Sequence, residues 1–309
     1  MLHFVIFSYN RASQLAVLLD SLRKNVKGNY NCTIIYNSSE LFFENGYTEL
    51  KRNYENKQVN FIKEKKQRFS NLRFFLSSKN VYHFLKYITK NKRLTNFKSL
   101  VEKIIKCSPH NYIAFLTDDS MFYREFPIPQ EILNDTRFDG FKSCFSIRLG
   151  MNTIDNTTVS FNKIGSNFYC WDFFSLNKNI QSHYNYPFSV DGNIYNKNAL
   201  LNTIKKVFYY NPNTFESYVV NYVRKNKLFE KGICYENSSL IGFELNQVNI
   251  SDNNHFNISI RDLNTWFLNK YTLKYDFDRD NVTAFRPLLK GIQLYNYDTS
   301  DSIELTMMK

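Results

Sequence analysis

The sequence predicts an α/β protein with a mostly parallel sheet flanked by helices and a C-terminal extension. Three observations carry that prediction. Short apolar runs alternate with segments of helical periodicity through the first third of the chain. The runs are solidly apolar, as in strands buried in the middle of a sheet. The first, second and fourth end in small polar or acidic residues, the chemistry of strand-to-helix turns.

The elements follow in order. Leu2 to Phe7 reads as a buried strand that runs into Ser8-Tyr9-Asn10-Arg11. Leu15, Leu18, Leu19 and Leu22 repeat at helical spacing and predict a helix from about Ala12 to Lys24. Cys32 to Tyr36 is a second strand, ending in Asn37-Ser38-Ser39-Glu40, and Leu41 to Tyr54 reads as helix. Val59 to Ile62 is a third strand. Phe69, Leu72, Phe75 and Leu76 suggest a helix, and helical sequence continues from Val81 to about Cys107. A fourth strand begins at Ile113 and ends in Thr117-Asp118-Asp119-Ser120. Such alternation implies βαβ units with right-handed crossovers.

Beyond Ser120 the pattern changes. Pro127 and Pro129 interrupt it, and Phe141 to Leu149 reads as a further strand containing Arg148. Residues 151–195 are rich in Asn, aromatics and turn formers. Helices resume near Leu200 and after Asn211-Pro212-Asn213, and from about Lys227 the elements are short and mixed.

Composition narrows the function. With 309 residues and 43% hydrophobic content, the chain can bury a sizeable core. Its net charge of +12 is spread along the sequence, without a basic tail or zinc finger, so nucleic acid is not expected as the ligand. The basic surface is compatible with peripheral contact to an anionic membrane, such as the inner membrane surface. Five widely spaced cysteines without a Cys-x-x-Cys pair read as reduced thiols of a cytoplasmic protein. No apolar run reaches the length of a membrane span, and the five histidines show no metal-ligand spacing. Gly-rich phosphate loops and Gly-x-Ser-x-Gly are missing from the sequence, which argues against P-loop enzymes, dinucleotide dehydrogenases and serine hydrolases.

Asp118 and Asp119 are the sharpest feature. Adjacent carboxylates at the carboxyl end of a buried strand sit where open α/β sheets bind ligands. They repel unless a cation or proton is shared, and Mg²⁺ is typically held by one or two carboxylates together with substrate phosphates. A turn or helix cap would also use these residue types. Downstream, Glu216 lies about one turn into a helix. Its spacing from Asn213 matches a structural capping box. Asp191-Gly192 is a strong turn dipeptide, and its glycine would allow close backbone approach to a ligand. Arg148 alternates within its strand and could face the same cleft. Trp171-Asp172 lies in an aromatic stretch that suits either a sugar platform or a core layer.

The first strand ending in Ser8-Tyr9-Asn10-Arg11, the second ending in a small polar turn, and the acidic pair Asp118-Asp119 together resemble a GT-A fold glycosyltransferase, closest to the family 2 type. The resemblance spans roughly residues 2 to 225. It implies a Rossmann-like sheet and transfer of a sugar from a nucleotide-sugar donor to a hydroxyl of a glycan, lipid-linked sugar or other glycoconjugate, as in polysaccharide biosynthesis. It further implies Mn²⁺ or Mg²⁺ on Asp118 and Asp119 as an Asp-x-Asp-type motif. Ser8, Tyr9, Asn10, Arg11, Tyr36, Ser38, Arg68, Asp118, Arg148 and Gly192 would contact the sugar donor. Catalysis would be inverting, with Glu216 preferred over Asp191 as the base. No Asp stands at the turn after the second strand, where relatives often hold uracil, so the nucleotide stays open.

On this reading residues 1–226 form the transferase domain, with a nucleotide half to about residue 125 and an acceptor half from 126 to 226. Residues 227–309 form an extension capping the acceptor side. The rivals are a nucleotidyltransferase and a glycosyltransferase-like glycan-binding protein without catalysis. The first normally opens with a Gly-rich loop, which is replaced here by Ser-Tyr-Asn-Arg.

Overall fold

The computed structural model describes residues 2–55, 59–66, 95–135, 139–155, 159–175, 182–243, 245, 258–279, 282–283, 289–296 and 298–305. Its first half comprises β1 (Leu2–Tyr9), α1 (Ala12–Asn25), β2 (Val26–Lys27), β3 (Tyr30–Asn37), α2 (Leu41–Asn53), β4 (Val59–Lys63), α3 (Phe97–Cys107), β5 (Tyr112–Thr117), β6 (Ser120–Phe122) and β7 (Phe126–Pro127). There follow a short α4 (Gln130–Leu133), β8 (Ser143–Ser146), β9 (Asn162–Ile164), β10 (Phe168–Asp172), β11 (Asn193–Asn196), α5 (Lys197–Ile204), α6 (Pro212–Asn226), β12 (Lys231–Tyr235) and β13 (Leu240–Gly242). The chain continues through α7 (Ile260–Leu268), β14 (Tyr271–Phe277), β15 (Leu289–Asn296) and β16 (Ser302–Leu305). The helix expected around Phe69 to Leu76, the start of the one expected from Val81, and the candidate Arg68 fall outside the described residues.

A nine-stranded sheet in the order β4-β3-β1-β5-β11-β8-β12-β10-β9 forms the centre. Only β11 and β10 run against the other seven strands, so the sheet is mostly parallel, as the sequence predicts. Residue alternation explains how it packs. In β1, Leu2, Phe4 and Ile6 face one apolar layer while Val5 and Phe7 face the other; in β5, Ala114 and Leu116 oppose Ile113 and Phe115. The first layer is shared with α1 and α2, the second with α3, α5 and α6.

Two sequence expectations change. The strand expected over Phe141 to Leu149 is only Ser143–Ser146, so Arg148 lies beyond its end. The boundary at 226/227 falls inside the central sheet, because β12 pairs with β8 and β10. Arg11 occupies the cap position of α1 without a side-chain cap bond. The last segment also packs against the nucleotide half. In α7, Asn264 donates to the Phe42 carbonyl of α2, Arg261 pairs with Glu40, and Lys270 pairs with Glu49. Val17 of α1 shares an apolar cluster with Leu273, Phe277, Ile292 and Leu294. This extension therefore packs on the α1–α2 side, and it also touches the acceptor half, where the Ile154 amide donates to the Val282 carbonyl at 2.9 Å. Among the described residues no helix is long and apolar enough to cross a membrane.

The lower end of the sheet carries a pH-sensitive group. His3 is 6% exposed and bonds Ser108 through Nδ1 at 3.0 Å and Thr33 through Nε2 at 2.8 Å. Burial, with a smaller contribution from His110, lowers its pKa from 6.5 to about 4. The unfolded chain thus binds more protons between these values. Stability from His3 is complete above pH 6.5 and is lost as pH falls toward 4, worth on the order of 3 kcal/mol. Chemical denaturation at pH 7 and 4.5 should show that loss, and His3→Gln should flatten it. Equal pH slopes for both proteins would contradict the assignment.

Candidate active site at the carboxyl edge of the sheet

The tips of β1, β3 and β5 converge at one edge, and the reversed β11 brings its leading residues there too. Gly192 donates to the Phe115 carbonyl at 2.8 Å, and Ile147 donates to the Gly192 carbonyl at 2.7 Å. Asp191-Gly192 is thereby wedged between the ends of β5 and β8. Gly192 has φ +85°, and a Cβ there would come within 2.7 Å of Leu240, so glycine is required.

At the β1 tip most candidate side chains are held by protein partners. Ser8 is buried, its hydroxyl 2.6 Å from that of Tyr47, and the Tyr47 hydroxyl also accepts from the Arg11 amide at 3.2 Å. Asn10 takes a left-handed conformation, φ 58°, and staples β1 to the β3 turn. Its amide donates to Ser39 Oγ at 2.9 Å, and its Oδ1 accepts from the Ser39 amide at 2.8 Å. Tyr9, 45% exposed, is the residue at this tip with an aromatic face open to a ligand.

Arg11 turns inward as well. Its Nη1 lies 3.3 Å from Asp118 Oδ1 and 3.3 Å from Asp119 Oδ2. Asp118 Oδ2 accepts from the Tyr9 amide at 3.1 Å. Burial disfavours both ions. At Arg11 the two carboxylates outweigh it and raise the pKa, whereas at Asp118 burial prevails over Arg11 and the carboxyl is pushed up. Arg11 is therefore the counter-ion of the acidic pair.

At the β3 tip, Tyr36 is 2% exposed. Its hydroxyl donates to Glu44 Oε1 at 3.0 Å and accepts from Lys51, so it belongs to the core and not to a ligand surface. Ser38 donates to Glu44 Oε2 at 2.6 Å, and Lys63 pairs with the same oxygen at 2.7 Å. Burial of Glu44 is outweighed by these hydrogen bonds, and its pKa is lowered. The turn thus acquires an acid from the following helix. The sequence shows Glu44 only as one more helical residue; its partners are set by packing.

The downstream carboxylates join the acidic pair through Ser120, which donates to Asp191 Oδ1 at 2.6 Å. Arg148 Nη1 pairs with Asp191 Oδ2. A Cβ on Gly242 would lie 3.2 Å from the Arg148 guanidinium, so that glycine gives it room. Glu216 is released from capping: Asn211 and Thr214 form the capping box of α6, not Asn213 and Glu216. Glu216 Oε1 instead accepts from the Val190 amide at 3.1 Å. Burial raises the Glu216 pKa, with Ser189, Val190 and Arg148 acting in opposition. His183 is lowered to about 4 by burial and then by Arg148. Trp171 is buried, donates to the Tyr184 carbonyl at 2.9 Å, and serves the core.

Among the described residues no group of three or more His, Cys, Asp or Glu side chains is arranged to hold a metal alone. Asp119 offers the open oxygen: its Oδ2 faces Arg11, while Oδ1 has no partner among the described residues. One carboxylate oxygen fits a divalent ion whose other ligands come from a diphosphate and water.

No protein-family model matches the sequence, and no curated protein sequence matches it. Among solved structures, the chain is similar to residues 1–349 of S. aureus TarS, at 14% identity and TM-score 0.39, over 77% of this chain and 58% of that one. TarS has also been crystallised with UDP-GlcNAc and with UDP. The PaToxG glycosyltransferase is similar at 12% identity and TM-score 0.32, over 72% of this chain and 69% of that one. The bifunctional glycosyltransferase WbbM is similar at 10% identity and TM-score 0.34, over 72% of this chain and 36% of that one.

Proposed function

We propose that the chain is a glycosyltransferase that moves a sugar from a nucleotide-sugar donor to a hydroxyl of a glycan or glycoconjugate. The observation that supports this reading is a continuous polar chain at one sheet edge. It runs from Arg11 through Asp118 and Asp119, across Ser120 to Asp191 and Arg148, and on through Val190 to Glu216. The first part suits a diphosphate and the last suits proton removal.

In this reading Tyr9 offers its exposed ring to the nucleoside, and Glu44 with Ser38 lines the turn beside it. Asp119 would hold Mg²⁺ or Mn²⁺ together with the diphosphate, where such an ion would supply neutralisation of charge on the leaving group. Asp118 stays with Arg11 and fixes the β1 tip. Glu216 takes the acceptor hydroxyl proton, because its raised pKa brings a carboxylate nearer the operating pH of a base. Asp191 has both oxygens engaged, by Ser120 and Arg148, and orients the cleft instead. Attack opposite the leaving diphosphate gives inversion.

The test is a thermal-shift panel of UDP, GDP, CDP and dTDP with and without Mn²⁺. One nucleotide at about 100 times its dissociation constant should stabilise the protein by about 2.7 kcal/mol. The shift should need Mn²⁺ and vanish in Asp119→Ala, while Mn²⁺ alone gives little. No shift with any nucleotide would remove the reading.

A further inference from the structure

We propose that the C-terminal three-stranded sheet closes the diphosphate end of the sugar-donor site, with the Tyr275 hydroxyl donating a hydrogen bond to a phosphate oxygen. The inference rests on the glycosyltransferase reading and adds a residue that no sequence motif marks. Tyr275 lies on β14, in the segment that packs on α1. Its ring stacks on Phe243 with centroids 4.3 Å apart and planes 22° apart. The Phe243 amide in turn donates to the Asp119 carbonyl at 2.8 Å, which ties this aromatic pair to the acidic turn.

The phenol is near the site's charges. Burial and then Asp119 raise its pKa, with Arg11 acting in opposition. It has no hydrogen-bond partner among the described residues. Tyr275 is half-buried and its hydroxyl is not sealed from solvent, so an acceptor arriving beside Asp119 can take it as a donor. A second polar group on this side is also uncommitted. Gln14 is 1% exposed, both ends of its amide lack partners among the described residues, and it precedes by one helical turn the Val17 that packs in the same cluster. An anion with several acceptor oxygens, such as a diphosphate, satisfies the phenol and complements the open Asp119 oxygen through its cation.

Calorimetric binding of whichever of UDP, GDP, CDP and dTDP the wild-type protein prefers, in the presence of Mn²⁺, tests this. Tyr275→Phe keeps the ring on Phe243 and should leave the ligand-free melting temperature unchanged. It should weaken the nucleoside diphosphate about 3- to 10-fold, the loss of one hydrogen bond. Tyr271→Phe, on the same strand, should bind as wild type does. Equal affinity of wild type and Tyr275→Phe overturns the proposal and leaves the glycosyltransferase reading standing. Absence of binding by the wild-type protein removes both.

Discussion

Arg11→Met is expected to cost about 3–5 kcal/mol of stability, the typical penalty for removing one partner of a buried ion pair. Arg11 and Asp118 side chains are each 7% exposed, and the guanidinium also serves Asp119. Methionine keeps much of the volume but none of the charge, so two neighbouring carboxylates lose their counter-ion. Asp118, already pushed up by burial, would then have to take a proton to stay inside. The deficit should shrink as pH falls. Asp118→Asn introduced alongside should recover most of it, because the repelling charge is gone. Urea denaturation of the three proteins at pH 8 and pH 5.5 checks this. A pH-independent loss below 1 kcal/mol would show that Arg11 is not the counter-ion of the pair.

Glu216→Gln should lower turnover by about 10²- to 10⁴-fold, the usual contribution of a positioned base, with sugar-donor affinity and melting temperature near wild type. Glutamine still accepts from the Val190 amide through its carbonyl oxygen, which isolates the lost basicity from lost structure. Asp191→Asn is expected to behave differently. Asp191 is the ion-pair partner of Arg148 and the acceptor for Ser120, so its loss should disturb binding and stability along with rate. Steady-state rates across pH for both variants, with nucleotide affinities, separate the roles. The wild-type profile should rise with a pKa above the ordinary glutamate value, since burial raises Glu216. Full activity in Glu216→Gln alongside an inactive, well-folded Asp191→Asn would exchange the assignments.

The neighbouring glycines bear on the same edge. Gly192 and Gly242 frame Arg148, and the strict fit at Gly192 leaves no room for a side chain. The site is thus built from backbone turns on strand ends, whose positions follow from the sheet and not from the loops alone.

Much of the fold was legible because buried parallel strands write themselves as solid apolar runs. β1, β3 and β5 each carry such a run, and helix α1 repeats leucine at helical spacing, so the order of elements and the placing of Asp118-Asp119 at a strand tip follow from local pattern. What the pattern could not decide is which distant residues meet. Arg11 reaches Asp118 across 107 positions and Ser120 reaches Asp191 across 71, and no periodicity records contacts of that range. The same holds for Glu44, an ordinary helical residue by sequence that completes the β3 turn. It holds for Ser8, Asn10 and Tyr36, whose polar groups bond to Tyr47, Ser39 and Glu44 on other segments. Tertiary structure alone decided the reversed β11, the inclusion of β12 in the central sheet, and the seat of the C-terminal sheet beside Asp119. The physical reason is that local sequence sets propensity and face, whereas burial of charge and pairing of hydrogen bonds are settled between segments only once the chain has closed upon itself.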